Sequence, residues 1–478
     1  MDHIVNRDRQ VPKRQRLPFP PDIFLRICSF LSPSDARSLR LCCKTLANIG
    51  ARYGFRNITL YVNKSDFDML RAFSRHPVIS KNIRTLTYMP ETLLRETHPL
   101  YYSIQEYANF SASNYYMTKR VKKSKQNWLP NGALDNLPIS IEDIQENYRH
   151  YMITAQEQFQ IVDGKEDFAL LKEVLPKLTS LEGIYVGSSP YKRRYFSPFF
   201  AWTMDPSYEL PVQAIMYGLS GSGLRLRRLE IDGLLPSILN TGFLQQLSPS
   251  CKYLKSIDLL IEEDTEDYDE VFRVDPIFEK TRHEKEPGAL AKFLKALPNL
   301  EEIDITWDTD DWEARYPLRE VIYPGSRWSN LRDINLHKIR TERQELIAFF
   351  TQHRLTLQKV SIGYCVLEST SCRILLCQMK EILKLTDICI YNIMEGRFEN
   401  GEDNTGFIYV PNRLSDPFRQ ECDPFGQEWW FSDPPDPECL GTKVADWFLR
   451  DAPCPLVPGI QYLEDLMFAS PNTKSDIH

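Results

Sequence analysis

One short pattern recurs along most of this chain: an apolar residue, two other residues, then two apolar residues separated by one. Because strand side chains alternate between faces, the last two apolar side chains of each instance share one face of an extended strand. The eight instances are Ile83-Leu86-Tyr88, Leu181-Ile184-Val186, Leu226-Leu229-Ile231, Leu254-Ile257-Leu259, Leu300-Ile303-Ile305, Leu331-Ile334-Leu336, Leu357-Val360-Ile362 and Leu385-Ile388-Ile390. This pattern predicts an array of half-buried strands.

The spacing of the pattern indicates how the strands are connected. From Ile184 onward, the steps between successive middle residues are 45, 28, 46, 31, 26 and 28 residues. Helical patterns lie between several strands, for example at 288–297 and 341–350. Such alternation is typical of a solenoid, whose units bury their strands and helices against their neighbours. The period resembles that of leucine-rich repeats, about 20–29 residues, although only Cys365 matches their usual Asn or Cys three positions after the strand.

Two further segments interrupt or close the predicted array. Residues 97–175 contain an aromatic stretch and then a long helical pattern, which we interpret as an insertion or a packing arm. Residues 396–442 are rich in Asp, Pro and Gly, a composition that predicts mostly loop. Val444, Trp447 and Phe448 then form the apolar face of a short helix. We expect this C-terminal segment to cap the solenoid.

Ahead of the array, the sequence predicts a short strand at 54–62, a helix at 65–76 and, before them, two short amphipathic helices. The first of the two has Ile23, Ile27, Phe30 and Leu31 on one helical face, with Pro21 in its first turn.

The second helix is predicted to begin with a serine cap at Ser32, followed by a proline and an acid three residues after the cap. Its apolar positions Leu39, Cys42, Leu46 and Ile49 recur at helical spacing as far as Gly50, which predicts the stop. Two helices this short cannot bury both apolar faces against each other. A third element or a partner protein must therefore cover the rest.

The run Phe19-Pro20-Pro21-Asp22-Ile23, continuing to Lys44, resembles the F-box motif over about residues 17–50. The second half departs from the family pattern, with Ala36 in place of Leu, Cys42 in place of Val and Leu46 in place of Trp. The segments 55–60 and 445–450 are similar to fungal F-box proteins with divergent leucine-rich repeats.

This resemblance implies a function without chemistry of its own. An F-box packs against an Skp-type adaptor, which joins it to a cullin, while the repeats hold a protein substrate for ubiquitin transfer. The adaptor-binding residues that the resemblance implies are Phe19, Pro20, Pro21, Ile23, Ile27, Leu31, Leu39 and Cys43.

The expected architecture is mixed α/β, with a helical F-box followed by an irregular leucine-rich-repeat-like solenoid. The expected segments are a disordered leader (1–16), the F-box domain (17–60), the first solenoid strand and helix (61–96), the insertion (97–175), the solenoid (176–395), a loop-rich cap (396–470) and a tail (471–478). The substrate-binding residues stay unknown; Trp307 and Trp312, near a strand end, are guesses.

Composition excludes several other classes of protein. No run approaches 18 apolar residues, which predicts a soluble cytoplasmic or nuclear protein. The eleven cysteines include no C-x-x-C and are expected to be mostly buried, reduced thiols. No catalytic constellation, metal site or cofactor motif is present, so we expect no enzyme.

The charge distribution bears on the alternative functions. Residues 1–125 contain 22 Lys and Arg against 9 Asp and Glu, whereas the remainder contains 36 against 56. The basic run at 119–125 could be a nuclear localisation signal or contact nucleic acid, and a solvated loop is at least as consistent with it. The rival hypotheses are a scaffold without ligase function and a nuclear nucleic-acid or chromatin binder.

Overall fold

The computed structural model describes residues 19–90, 92–93, 141–187, 204–205, 209–234, 238–262, 287–308, 316–368, 372–391, 393–399, 402–408, 440–450 and 452–453. The strands are β1 Asn57–Tyr61, β2 Thr85–Met89, β3 Thr92–Leu93, β4 Gly183–Val186, β5 Met204–Asp205, β6 Arg228–Leu234, β7 Ser256–Glu262, β8 Glu302–Asp308, β9 Tyr316–Pro317, β10 Asp333–His337, β11 Ile339–Glu342, β12 Lys359–Gly363, β13 Val366–Glu368, β14 Asp387–Tyr391, β15 Ile393–Glu399 and β16 Glu402–Ile408.

The helices alternate with these strands along much of the chain. They are α1 Pro21–Cys28, α2 Pro33–Leu39, α3 Lys44–Gly54, α4 Lys64–Arg75, α5 Ile141–Asp163, α6 Glu166–Val174, α7 Glu209–Leu219, α8 Thr241–Cys251, α9 Ala289–Lys295, α10 Leu318–Val321, α11 Arg343–His353, α12 Cys372–Ile382 and α13 Leu440–Arg450. The architecture is therefore mixed α/β with an N-terminal group of helices.

A parallel sheet of nine described strands forms the centre of the molecule, in the order β1-β2-β4-β6-β7-β8-β10-β12-β14. The last two residues of all eight instances of the sequence pattern lie on its strands, and β1 is the strand predicted at 54–62. The strands follow one another across the sheet in chain order. The sequence pattern therefore predicted both the existence and the type of these elements.

The strand register brings the pattern residues into two rows across the sheet. The first row is Ile58, Leu86, Ile184, Leu229, Ile257, Ile303, Ile334, Val360 and Ile388, and the second is Leu60, Tyr88, Val186, Ile231, Leu259, Ile305, Leu336, Ile362 and Ile390. Every one of these side chains is buried in one continuous hydrophobic core. Each is worth about 1.5–3 kcal/mol on burial, so the two rows are a large part of the stabilising free energy.

The predicted interruption lies between two neighbouring strands, since β2 pairs directly with β4 although about ninety residues separate them. Helices α5 and α6 belong to it, and α5 begins at Ile141, where the helical pattern begins. The Tyr88 hydroxyl donates a hydrogen bond of 3.1 Å to the buried Asp167 carboxylate, which joins β2 to α6. This part of the insertion is therefore integrated into the core.

A second sheet has the strand order β16-β15-β13-β11-β9, in which β9, β11 and β13 are short. The sequence pattern does not predict it. Strands β15 and β16 pair antiparallel between Ile393 and Ile408. Most of this hairpin lies within residues 396–442, which the sequence predicts to be mostly loop. The loop prediction is wrong for the hairpin. Its composition is poor in strand-forming residues, but β15 pairs with β13 through backbone hydrogen bonds and so extends the second sheet.

The C-terminal helix α13 covers the last strand of the nine-stranded sheet. It packs against β14, and Trp447 and Phe448 are 8% and 7% exposed within the main core. The Lys380 ammonium on α12 hydrogen-bonds the Trp447 carbonyl and lies 5.1 Å from the indole ring centroid. The apolar face expected for this helix is confirmed at these two residues, while the side chain of Val444 lies outside the described set.

At the other end of the sheet, the N-terminal helices differ from the prediction in one respect. The single second helix is in fact two, because α2 ends at Leu39 and α3 begins at Lys44. Cys43 is extended, with φ −163° and ψ 167°, and stands at the N-cap of α3. The periodic apolar positions therefore belong to two helices joined by a turn at 40–43.

Gly50 lies inside α3 and does not end it. A Cβ atom at this position would lie 2.3 Å from the carbonyl oxygen of Ala36 on α2, which no real Cβ tolerates. At the next turn, a Cβ on Gly54 would lie 2.7 Å from the Arg37 side chain. The two glycines therefore allow the close crossing of α2 and α3.

Candidate functional site

The three N-terminal helices have a small core of their own. Cys28, Leu46 and Ile49 are buried there, and half-buried side chains pack around them, among them Leu31 and Leu39. The cap at Ser32 is confirmed, since its hydroxyl oxygen accepts a 3.1 Å hydrogen bond from the Asp35 backbone N–H. Helices α1 to α3 thus fold as a defined unit although few of their side chains are buried.

Helix α3 connects this unit to the main core. Ala51 and Phe55 are 1% and 9% exposed and belong to the main core, while the Arg40 guanidinium lies 4.7 Å from the Phe55 ring centroid. The Arg56 carbonyl then accepts hydrogen bonds from the backbone N–H groups of Arg84 and Thr85. The unit is therefore attached to the first strands of the sheet through buried contacts.

The remaining apolar face of α1 has no cover in the described residues. Phe19, Ile23, Ile27 and Phe30 are 54%, 47%, 43% and 75% exposed, and Leu41, in the turn after α2, is 89% exposed. Exposed apolar side chains scattered singly are normal, but residues repeated along one helical face mark an interaction surface. We call these five residues the apolar surface.

The eight residues predicted to bind an adaptor fall into two groups. Phe19, Pro20, Pro21, Ile23, Ile27 and Cys43 are exposed and available for contact. Leu31 and Leu39 are half-buried against the small core, so they support the unit from within.

Two exposed residues were missed by that prediction. The helical period places Phe30 on the same face as Ile27, but Phe30 was left out of the adaptor-binding residues that the resemblance implies. Leu41 lies in the turn between α2 and α3, where no periodic signal exists.

Beside the apolar surface, α1 and α3 enclose a groove of about 350 Å³. Pro21, Leu25 and Ile49 give it an apolar wall, and Lys44 and Arg52 add two cations. Residues 19–56 contain six Lys and Arg against two Asp. A partner that covers this surface would gain from an apolar centre and an acidic rim.

Other candidate binding residues in the chain have less support. Trp307 is 1% exposed and stacks on Tyr316 with ring centroids 3.6 Å apart, so the suggestion that it contacts a substrate is wrong. Trp312 and the basic run at 119–125 lie outside the described residues. All eight described cysteines are free thiols, five of them buried and Cys42 and Cys43 exposed.

In the described part of the chain, no group of three or more His, Cys, Asp or Glu side chains could hold a metal ion. Over the same residues, no helix has both the length and the apolar character needed to cross a bilayer.

Comparison with known proteins agrees with the resemblance at the N-terminus. The family model of the F-box domain matches residues 17–55, which spans α1 to α3 and the apolar surface. No curated protein matches the chain significantly. F-box domain proteins are generally non-catalytic adaptors, and their F-box binds Skp-type adaptors. The chain therefore carries an F-box domain at residues 17–55.

Proposed function

We propose that this protein is a substrate-recognition subunit of an Skp–cullin–F-box ubiquitin ligase. The observation that carries the proposal is the apolar surface on α1 and the turn after α2, within the residues that match the F-box domain. Each apolar side chain buried by a partner contributes about 1.5–3 kcal/mol, and a few central residues dominate such an interface.

The same proposal assigns the nine-stranded sheet and its helices to an irregular leucine-rich-repeat solenoid. Its support is the chain-order arrangement of parallel strands and the in-register rows of buried residues. Cys365 adds to it: its buried thiol lies 3.6 Å from the Leu336 carbonyl of the preceding unit and 3.2 Å from the Gly363 carbonyl. That is the interaction a buried Asn or Cys supplies at this position of a repeat.

A left-handed backbone conformation at the same position of three units gives further support. Gly233, Lys338 and Tyr364 each stand five residues after the first residue of their strand, and all three have positive φ, at 82°, 56° and 52°. The backbone N–H of Lys338 donates to the Gly363 carbonyl at 2.9 Å. In this proposal the solenoid holds a protein substrate while the F-box binds the adaptor.

Co-purification with an Skp-type adaptor tests the F-box half of the proposal. Ile23→Asp combined with Ile27→Asp places two charges on the apolar surface, and we expect adaptor recovery to fall at least about tenfold. The matched control is Ile153→Asp with Leu355→Asp, which alters two residues that are 56% and 89% exposed elsewhere. Adaptor recovery that is unchanged by the first pair, or equally reduced by the second, would overturn the assignment.

The ligase half needs a second measurement. Cullin in the same complex, together with adaptor-dependent ubiquitination of captured proteins, is the expected result. Adaptor binding without cullin would instead identify a scaffold that uses the F-box outside a ligase.

A further inference from the structure

The loops that lead from a helix into a strand of the nine-stranded sheet are rich in Lys and Arg. Because the nine strands are parallel, these loops all lie at the end of the sheet where its strands begin. The loops are 55–56, 76–84, 175–182, 220–227, 252–255, 296–301, 322–332, 354–358 and 383–386. Together they contain twelve Lys and Arg residues against two Glu and no Asp. Beyond residue 125 the chain as a whole has the opposite balance, with 36 Lys and Arg against 56 Asp and Glu.

All twelve basic side chains are exposed. We call them the basic loop surface, which consists of Arg56, Lys81, Arg84, Lys177, Arg225, Arg227, Lys252, Lys255, Arg327, Arg332, Arg354 and Lys384. Both acids of the loops are already neutralised, since Glu182 pairs with Arg84 and Glu301 pairs with Lys255. Lys177 pairs with an acid on α6. Within the part of the chain that the structure describes, the other nine basic residues form no ion pair, so this surface has a large positive charge.

Backbone hydrogen bonds hold these loops in a fixed order. The carbonyl of the residue just before each strand accepts hydrogen bonds of 2.6–3.2 Å from two N–H groups at the start of the neighbouring strand. The residues joined in this way are Arg56, Arg84, Glu182, Arg227, Lys255, Glu301, Arg332, Gln358 and Thr386. Five of the nine are basic, at the spacing of neighbouring strands, which is about 4.8 Å. Nine strands at this spacing span about 40 Å, so the basic loop surface suits an extended polyanion better than a compact anion.

A separate observation concerns two exposed tyrosines among these basic residues. Tyr253 and Tyr323 are 41% and 40% exposed, and their loops lead into β7 and β10, on either side of β8. The Arg225 guanidinium lies 4.9 Å from the Tyr253 ring centroid, and the Lys295 ammonium lies 4.0 Å from the Tyr323 ring centroid. Proteins that bind single-stranded nucleic acid stack its nucleobases on such rings and meet its phosphates with neighbouring cations. An acidic peptide matches the cations but carries no nucleobase to stack on the tyrosines.

We propose that the basic loop surface binds single-stranded nucleic acid. The phosphates lie against the exposed Lys and Arg side chains, and unpaired nucleobases stack on Tyr253 and Tyr323. Because each phosphate contact releases a counterion, the affinity falls steeply as the salt concentration rises. This activity goes beyond the proposed function, since it uses neither the adaptor contact nor a protein substrate.

Fluorescence anisotropy of a labelled, single-stranded oligothymidylate of about 12 nucleotides tests the proposal on the full chain. Arg227→Gln with Arg332→Gln removes two exposed charges that have no ion pair to lose. We expect the affinity to fall about tenfold at about 0.15 M salt. The slope of log affinity against log salt concentration should become less steep by about 1.4, at about 0.7 for each lost phosphate contact.

The matched control is Arg149→Gln with Arg340→Gln, which removes two exposed arginines on α5 and β11. It should change the affinity by less than about twofold, since charges far from the ligand are largely screened at this salt concentration. Equal weakening by both pairs would show attraction to net charge only and overturn the proposal. Unchanged binding by the first pair would also overturn it, and would assign the binding to other parts of the chain such as the basic run at 119–125.

A second pair of variants tests the stacking. Tyr253→Ala with Tyr323→Ala should weaken binding at least about tenfold and leave the salt slope unchanged, whereas Tyr253→Phe with Tyr323→Phe should bind as the wild type does. A labelled DNA duplex and a labelled poly-glutamate peptide are the comparison ligands. If either binds as tightly as the single strand, or if the alanine pair has no effect, the surface attracts polyanions in general and the proposal fails.

Thermal unfolding separates a binding role from a structural one, because cations near the carboxyl ends of helices also stabilise those helices. We expect Arg227→Gln with Arg332→Gln to melt within about 2 °C of the wild type. A lower melting temperature with unchanged affinity would show a structural role alone and overturn the proposal. Ile23→Asp with Ile27→Asp should bind the oligonucleotide as the wild type does, so failure of adaptor binding and failure of this proposal are distinguishable.

Discussion

The F-box helices and the nine-stranded sheet use apolar side chains in opposite ways. In the sheet, two rows of nine apolar residues on successive parallel strands are buried in one core. In α1 to α3 only a small core is buried, and the apolar surface remains outside it. An apolar residue therefore stabilises the fold in one region and is available to a partner in the other.

Charge follows the same division. The F-box helices carry an excess of Lys and Arg, while the sheet face opposite the core carries an excess of Asp and Glu.

The largest expected effect comes from one substitution made in both regions. Ile334→Ala in the first core row removes a fully buried side chain and should cost about 2–5 kcal/mol of unfolding free energy. Ile27→Ala removes a side chain that is 43% exposed and should cost less than about 1 kcal/mol while weakening adaptor binding.

Urea unfolding followed by tryptophan fluorescence measures how much each substitution destabilises the chain outside the F-box. Residues 17–55 contain no tryptophan, so the signal comes from the remainder. Similar losses for the two variants would show that α1 is buried against the rest of the chain, and the comparison between the two regions would fail.

A smaller effect is expected where α2 crosses α3. Gly50→Ala places a Cβ atom against the Ala36 carbonyl, which must push the helices apart at a cost of about 1–3 kcal/mol to the F-box. Gly242→Ala on α8 is the control, since its nearest contact would be 3.6 Å away and alanine should be neutral or stabilising.

Hydrogen exchange of the α2 and α3 amides, together with adaptor affinity, reports the outcome. We expect faster exchange and weaker binding for Gly50→Ala, with the sheet amides unchanged. Loss of protection across the sheet as well would mean that the F-box and the array unfold as one cooperative unit.

The sequence predicted the sheet well because its signal is redundant. A period of two identifies each strand, and the same three-residue pattern repeats eight times with helical patterns between. The short strands β9, β11 and β13 have two to four residues and no such signal. They pair with one another through backbone groups, and residues far apart in the chain must first be brought side by side for this pairing.

The candidate sites were predictable to different degrees. Ile23 and Ile27 share a helical face that the sequence shows directly, whereas the turn that separates α2 from α3 is invisible because the apolar spacing continues through it. The row that Glu230, Asp258 and Asp304 form across the sheet is hidden for another reason. The sequence shows that Glu230, Asp258 and Asp304 each lie between two apolar residues, but only the strand register places the three side by side.

The smallest expected effects test whether the units of the array share one left-handed backbone position. Gly233→Ala puts a Cβ atom at a φ of 82° and should cost about 1–2 kcal/mol. At the equivalent position of a later unit, Lys338→Asn should stay within about 0.5 kcal/mol of the wild type, because Asn tolerates the left-handed region, whereas Lys338→Val should lose about 1–2 kcal/mol. The urea midpoints of unfolding of the three variants, compared with the wild type, measure these losses. Equal midpoints for the Asn and Val variants would contradict a shared left-handed position, and the units would then resemble one another only in their strands.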